Sequence, residues 1–152
     1  MANAIGLFHT RLNVRKPILG APELTLDLVV NTVTRQVFGS ARITQPTHPV
    51  REFHADLWGE FAELPFGPGG VNQLSLHLDG NPSGRTSELA ETFHLQALLA
   101  GDWAQGNASY RFFDNGHWTN LASVPVRQAP DVALQAAANE RLHEVIRQLE
   151  SA

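Results

Sequence analysis

Cysteine is absent from this sequence of 152 residues. Its absence excludes disulfide bonds, thiolate metal sites, iron–sulfur clusters and a cysteine nucleophile. Long apolar runs are missing as well, and none approaches the roughly 20 residues of a membrane-spanning helix. Because the N-terminus also lacks the basic region and apolar core of a signal peptide, we expect a cytoplasmic protein.

An excess of basic residues is also lacking. The formal net charge is −4 and the isoelectric point is about 5.9. General binders of nucleic acid or of anionic membranes carry clustered positive charge that attracts phosphate groups. We therefore expect neither nucleic acid nor a membrane among the partners of this protein.

Sequence motifs of catalysis are equally scarce. There is no Gly-x-Ser-x-Gly nucleophile elbow and no Walker phosphate-binding sequence. Lys16 is the only lysine, which gives little basis for Schiff-base chemistry. Asp56 and Glu60 share one face of a predicted strand, but roughly 13 Å would separate them, too far for a catalytic pair. We expect no catalytic residues and no cofactor, and the sequence favours a protein that is not an enzyme.

The sequence is rich in segments that alternate apolar and polar residues with a period of two. This alternation is typical of β-strands that bury one face. About eight such segments follow one another, at Phe8–Val14, Leu24–Val30, Val37–Ile43, Phe53–Phe61, Leu74–Leu78, Phe93–Leu99, Ala104–Phe112 and His117–Val124. The sequence therefore predicts an all-β fold of about eight antiparallel strands in a mostly up-and-down meander, either a barrel or a sandwich.

Short turns between these segments predict how the strands pair. Asn115-Gly116 strongly favours a two-residue type I′ turn, which places Phe113 opposite Trp118. A tight turn after the second strand places Val30 opposite Val37. Both pairings keep apolar side chains of neighbouring strands on the same face, which the burial of that face requires.

A third turn is predicted at Gly101-Asp102, because glycine in the first position favours a type II′ turn. A two-residue loop there places Leu95 opposite Ala108. This pair is again apolar on both sides.

The period changes after the last predicted strand. Residues 131–150 carry Ala138, Leu142, Val145 and Leu149 at helical spacing, and the run around Ala137 favours a helix. The sequence therefore predicts one C-terminal amphipathic helix. We divide the chain into a barrel or sandwich domain, residues 1–126, and a helical segment, residues 127–152, that packs on it or on a partner.

Several segments resemble a known family. They are Gly6-Leu7-Phe8-His9, Gly20-Ala21-Pro22, Leu24 to Thr32, Ala41 to Gln45, Asp102-Trp103 and Ala108 to Arg111. Over residues 5–126 the chain resembles a small bacterial family known as domain of unknown function eighteen-forty-two. The resemblance implies a bacterial origin and a β-rich fold, and it implies no activity, cofactor or site residue.

Polar residues at predicted inward positions are the first candidate site. Thr10, Tyr110, Thr119 and Ser123 interrupt an otherwise apolar interior. A mostly apolar pocket with a few polar groups is typical of small-molecule sites. Tyr110, Thr10 and Thr119 are therefore candidate ligand-binding residues if the interior holds an apolar ligand, whereas tight packing of small against large residues would fill it.

Apolar residues at predicted outward positions are the second candidate site. They are Val29, Phe38, Trp58, Phe113 and Trp118. Exposed aromatic clusters generally need a cover. Three covers are possible alternatives here: the C-terminal helix of the same chain, a second subunit or another protein, or a sugar stacked on the rings. The predicted interaction surface comprises Phe38, Trp58, Phe113 and Trp118, together with Leu142, Val145 and Leu149 of the helix.

Histidines on polar strand faces are the third candidate site. The loop near Gly67 places His77 opposite Trp58, and the following loop places His77 opposite or diagonal to His94. Cross-strand neighbours lie about 5 Å apart. His77 and His94 are therefore candidate ligands for a surface metal ion, although histidines also occur on solvated faces without any such role.

These patterns favour a non-catalytic binding or interaction module that is homo-oligomeric or binds another protein. The alternative is a β-barrel that binds a small apolar molecule or a sugar. A third hypothesis is a small barrel enzyme, such as a cyclase or isomerase.

Overall fold

The computed structural model describes residues 6–47, 50–64 and 72–129, and it is all-β, as predicted. The eight strands are β1 (Leu7–Val14), β2 (Glu23–Asn31), β3 (Gln36–Gln45), β4 (Arg51–Leu64), β5 (Gln73–Asn81), β6 (Phe93–Ala100), β7 (Gln105–Asp114) and β8 (His117–Gln128). Within these ranges, no helix has the length and apolar character needed to cross a membrane.

The strands form a closed antiparallel barrel in the order of the chain, from β1 to β8. Of the two predicted architectures, the barrel is therefore the correct one. The barrel closes where β8 pairs with β1, through Leu12–Gln128, Asn13–Arg127 and Val14–Val126. Closure pairs the two outermost strands with each other, which removes the sheet edges at which strands of other chains tend to add.

The alternation of the sequence places one residue set inside the barrel. Leu26, Leu95 and Tyr110 are buried, and they belong to one contiguous core. The β2–β3 hairpin has the predicted register, with Val30 opposite Val37. Every second residue of these strands therefore contributes to the core, while its neighbours point outward.

Two inward glycines mark places where the backbones of neighbouring strands approach closely. A Cβ atom at Gly39 would collide with the carbonyl of Asp27, and one at Gly59 with the carbonyl of His77. Glycine in a strand often marks such a bend, because it has no side chain to accommodate. These positions let the strands coil tightly around the core.

One end of the barrel is filled by Trp103. This residue lies in the β6–β7 connection with φ of 65°, and only 6% of it is exposed. Its ring makes edge-to-face contacts with Phe8 at 5.6 Å and with Phe61 at 5.3 Å between centroids. The unusual backbone conformation thus directs a large apolar side chain into the barrel end.

The opposite end of the barrel is bridged by Arg51. Its Nε atom donates a hydrogen bond to Asp114 Oδ2 at 3.0 Å, and a terminal nitrogen donates to Thr119 Oγ1 at 3.3 Å. The guanidinium carbon lies 4.9 Å from the ring centroid of Phe112. Arg51 therefore ties β4 to β7 and β8 above the aromatic part of the core.

The predicted register of the β6–β7 hairpin is wrong by two residues. Leu95 lies opposite Tyr110 rather than Ala108. The reason is that the connection contains Trp103 and Ala104 in addition to Gly101-Asp102. A shift of two preserves which face each side chain occupies, so the predicted burial of Leu95 and Ala108 is still correct.

The predicted register of β4 and β5 is also wrong by two residues. Trp58 lies opposite Asp79, and His77 lies opposite Glu60. The loop between these strands contains prolines and glycines and no short turn motif, so the sequence did not define where its centre lies.

β8 contains a bulge that the sequence analysis missed. The register shifts between Ala108 and Tyr110 of β7, and Ser123 of β8 has φ of 54°. The Ser123 amide donates a hydrogen bond to Ser109 Oγ at 3.1 Å. One extra residue reverses the inward and outward alternation of a strand. Ser123 is therefore exposed, which corrects its predicted inward position.

The end of β8 lies beyond the predicted end of the strand. It continues to Gln128, two residues past the proposed division at residue 126. The amide of Ala129 then donates to the carbonyl of Arg11 on β1. The predicted helix, with Leu142, Val145 and Leu149, lies outside the described residues and stays a prediction.

Candidate functional site

The three candidate ligand-binding residues occupy different surroundings. Thr10 and Tyr110 are buried, whereas Thr119 is half-buried. Thr119 accepts the hydrogen bond from Arg51, and Thr10 Oγ1 lies 3.5 Å from Gln128 Nε2. The structure thus places Thr119 at the barrel end that Arg51 bridges and Thr10 beside the β1–β8 seam. Their role in ligand binding stays a prediction.

Tyr110 lies in a group of aromatic rings inside the barrel. Its ring stacks with Phe93 at 6.1 Å and with Phe112 at 6.3 Å, and Phe53 packs against both phenylalanines. The buried Tyr110 hydroxyl has no hydrogen-bond partner among the described residues. Leaving such a group unpaired costs about 1–3 kcal/mol. Burial also raises the pKa of Tyr110, because the phenolate would be poorly solvated there.

The pH titration of Tyr110 has a clear expected outcome, since it is the only tyrosine of the chain. A raised pKa means that the folded state retains its proton above about pH 10, where the unfolded state loses it. The free energy of unfolding should therefore fall as the pH rises above about 10. We expect no phenolate absorbance from the folded protein until it unfolds. Phenolate absorbance that appears near pH 10 in protein with an intact far-UV circular dichroism spectrum would contradict the buried position.

The outer surface carries a continuous set of directly opposed side chains, which we call the outward row. Following the strand register from β1 to β8, it consists of His9, Val29, Phe38, Trp58, Asp79, His94, Arg111 and Asn120. Each member faces the next across a strand pair, so neighbouring side chains are in contact range. The row combines an apolar half with a polar and charged half.

The apolar half of the outward row is exposed. Val29 is 46% exposed and Phe38 is 43% exposed, and Trp58 beside them is half-buried. A depression of about 220 Å³ next to them is lined by Phe38, Trp58, His77, Asp79 and Arg85, among others. This depression links the apolar half of the row to its charged half.

A second pair of aromatic residues flanks the charged half. Phe113 lies opposite Trp118, as predicted, with ring centroids 5.5 Å apart. Trp118 also stacks on the ring of His94 at 5.7 Å, and the guanidinium of Arg111 lies 5.0 Å from its ring centroid. The predicted aromatic pair and the predicted histidine are therefore parts of one surface, which the sequence analysis did not connect.

Carboxylates surround His94 on the side of β5 and of the preceding loop. Asp79 Oδ1 lies 2.7 Å from His94 Nδ1, and Glu91 Oε2 lies 3.6 Å from His94 Nε2. His77 Nε2 lies 3.5 Å from the same oxygen of Asp79. We call Asp79, Glu91 and His94 the carboxylate–histidine cluster. Its ligand atoms all lie within 4.8 Å of one another.

Of the two predicted placements of His77 relative to His94, the diagonal one is correct, and their role as metal ligands stays a prediction. His77 is diagonal to His94, and Asp79 lies between them, opposite both His94 and Trp58. The sequence analysis missed Asp79 and Glu91. The sequence contains one sign of Asp79: it lies two residues after His77, so both side chains occupy the same face of the strand.

Comparison with known proteins identifies a family for this chain but no activity. No curated protein matches the chain. The sequence profile described as "Domain of unknown function (DUF1842)" matches residues 5–118, from the segment before β1 to the start of β8. Since this match covers most of the chain, the protein belongs to the DUF1842 family.

Proposed function

We propose that this domain is a non-catalytic binding module that assembles with a second copy of its own chain through the apolar half of the outward row. The observation that carries this proposal is the exposure of Val29 and Phe38 next to Trp58, in direct cross-strand register on three neighbouring strands. Contiguous apolar surface on a soluble domain commonly marks a contact site.

The composition of the row suits a contact between identical chains. Its apolar half includes the aromatic residues Phe38 and Trp58, and its charged half includes Asp79 and Arg111. In a two-fold symmetric interface each patch meets its own copy. A copy rotated about an axis through the apolar half can then place Phe38 and Trp58 against apolar side chains of its partner. Aromatic residues and arginine are also enriched at the energetic centres of interfaces.

The outward position of the row supports a role of its apolar residues in binding rather than in the stability of the fold. The inward residues already form a contiguous core, with Leu28, Leu57 and Leu78 fully or almost fully buried. Phe38 and Trp58 point away from that core. Replacing them therefore removes little buried area within one chain and should leave the barrel folded.

The test is a change of assembly without a change of fold. We expect the full chain to be a dimer, and the double variant Phe38→Glu, Trp58→Glu to be a monomer, because two buried carboxylates at the centre of the contact are strongly unfavourable. Size-exclusion chromatography with light scattering gives the mass. Leu98→Glu is the matched control: Leu98 is similarly exposed on β6 but outside the row, so this variant should remain a dimer.

The outcomes separate the possible covers of the row. A monomeric wild-type chain would contradict the proposal, and would then favour a cover from residues 130–152 or from another protein. A dimer that resists the double variant would place the contact elsewhere on the barrel. Unchanged far-UV circular dichroism of each variant excludes unfolding as the cause of any mass change.

A second candidate function is the binding of a small apolar molecule inside the barrel. The unpartnered hydroxyl of Tyr110 favours it, because a ligand atom could supply the missing hydrogen bond. Native mass spectrometry of the purified chain should then show a co-purified ligand, and Tyr110→Phe should weaken its retention. A ligand-free wild-type spectrum would count against this candidate and leave a buried water as the partner of the hydroxyl.

A further inference from the structure

A depression lies at the barrel end that Trp103 fills, and none of the residues lining it belongs to the outward row. Its volume is about 690 Å³, within the range of about 300–1,000 Å³ that is typical of small-molecule sites. The mouths of β-barrels are common places for such sites. We propose that this depression, which we call the mouth site, binds a small organic cation that joins an ammonium group to an aromatic or apolar body.

Aromatic side chains form the floor of the mouth site. Phe61 and Trp103 are buried there, and Phe8 beside them is half-buried. The ring of Trp103 meets both phenylalanine rings edge to face, which holds the three rings in a fixed arrangement before any ligand arrives. Aromatic rings attract cations through their electron-rich faces, and the apolar body of a ligand gains from burial against the same rings.

The rim of the mouth site is negatively charged. Glu63 near the end of β4 and Asp102 in the β6–β7 connection both line it and are exposed. Asp102 Oδ1 accepts a hydrogen bond from the Ala104 amide at 3.0 Å, which orients this carboxylate. Among the described residues, neither carboxylate forms an ion pair, and no arginine or lysine lines the depression. The charge of the site therefore favours a cation over an anion.

Neutral polar groups complete the rim. Asn72 and Gln73 line it with their side-chain amides, whose carbonyl oxygens can accept hydrogen bonds. The hydroxyl of Thr32, which also lines the site, already donates to the carbonyl of Gly6. A primary ammonium group has three N–H donors. The carboxylates and the amide carbonyls of the rim can share these donors while the body of the ligand lies on the aromatic floor.

Phenethylammonium is a direct probe of the mouth site, because it joins an ammonium group to one aromatic ring. The chain has three tryptophans, of which only Trp103 lines the site. In nitrogen-15 NMR spectra of the full chain, the probe should shift the indole N–H resonance of Trp103 and leave those of Trp58 and Trp118 unchanged. Phenylacetate carries a ring of the same size with the opposite charge, so we expect it to bind at least tenfold more weakly.

The double variant Glu63→Gln, Asp102→Asn tests the charge of the rim. It should weaken the binding of phenethylammonium at least fivefold, because it removes two negative charges while keeping the size of both side chains. Asparagine at position 102 can still accept the hydrogen bond from the Ala104 amide. Glu52→Gln is the matched control: Glu52 is exposed at the other end of β4 and does not line the site, so its replacement should leave the affinity unchanged.

The outcomes are separate from those for the outward row, whose assembly is measured by molecular mass. Failure of the unaltered chain to bind phenethylammonium at millimolar concentration would overturn the proposal. Shifts confined to Trp58 or Trp118, or equal binding of phenylacetate, would do the same. So would a double variant that keeps the affinity of the unaltered chain.

Discussion

Replacement of Trp103 by alanine is expected to lower the free energy of unfolding by about 3–5 kcal/mol, the range for removal of a large buried aromatic side chain. Trp103 is almost completely buried and contacts both Phe8 and Phe61. Its loss leaves a cavity at one end of the barrel that the surrounding strands can fill only in part. Urea unfolding followed by circular dichroism measures the change.

Trp118→Ala is the matched control for this experiment. The same side chain is removed, but Trp118 is 40% exposed on the outer surface. We expect a loss below about 1 kcal/mol, as for most surface substitutions. Equal effects of the two replacements would show that Trp103 does not fill the barrel end.

Replacement of Gly59 by alanine is expected to destabilise the fold by about 3 kcal/mol, the upper part of the range for overpacked cores. The added Cβ atom meets the carbonyl of His77 on β5, which is backbone rather than a flexible side chain. The two strands must separate to admit it, at the expense of hydrogen bonds between β4 and β5. Chemical denaturation with an unchanged m-value gives the loss in stability.

Gly20→Asn provides the comparison for the Gly59 variant. Gly20 has φ of 83°, which asparagine tolerates, and nothing lies within 4 Å of an added Cβ atom. This change should alter stability by less than about 1 kcal/mol. A Gly59→Ala protein as stable as Gly20→Asn would contradict the close approach of β4 and β5.

The sequence was most informative where a short turn joins two alternating strands. At the β2–β3 hairpin the pairing of Val30 with Val37 followed from the alternation and a tight turn. At β6–β7 the same reasoning failed by two residues, because Trp103 extends the connection to fill the barrel end. Filling the barrel end depends on contacts with Phe8 and Phe61, which are distant from Trp103 in sequence. No local sequence pattern around Trp103 therefore predicts it.

The candidate site was predictable in its residue types but not in its arrangement. Outward Phe38, Trp58 and Trp118 followed from the period of two. The contact of Trp118 with His94 required the registers of β6, β7 and β8 together. Glu91 lies outside any strand, so no periodicity pointed to it.

The bulge in β8 has a similar explanation. Ser123 adopts a left-handed backbone conformation that its residue type does not require. What stabilises it there is a hydrogen bond to Ser109 on the neighbouring strand. A single sequence gives no sign of such a cross-strand contact, so the inward position predicted for Ser123 was wrong.

The proposed role of the outward row is tested most directly by hydroxyl-radical footprinting of the full chain at low and high protein concentration. Oxidation of each side chain, read by mass spectrometry, reports its contact with water. We expect Phe38 and Trp58 to become protected at high concentration, while Leu98 stays equally reactive. Oxidation of Phe38 and Trp58 that does not change with concentration, or protection confined to another face of the barrel, would contradict the proposal.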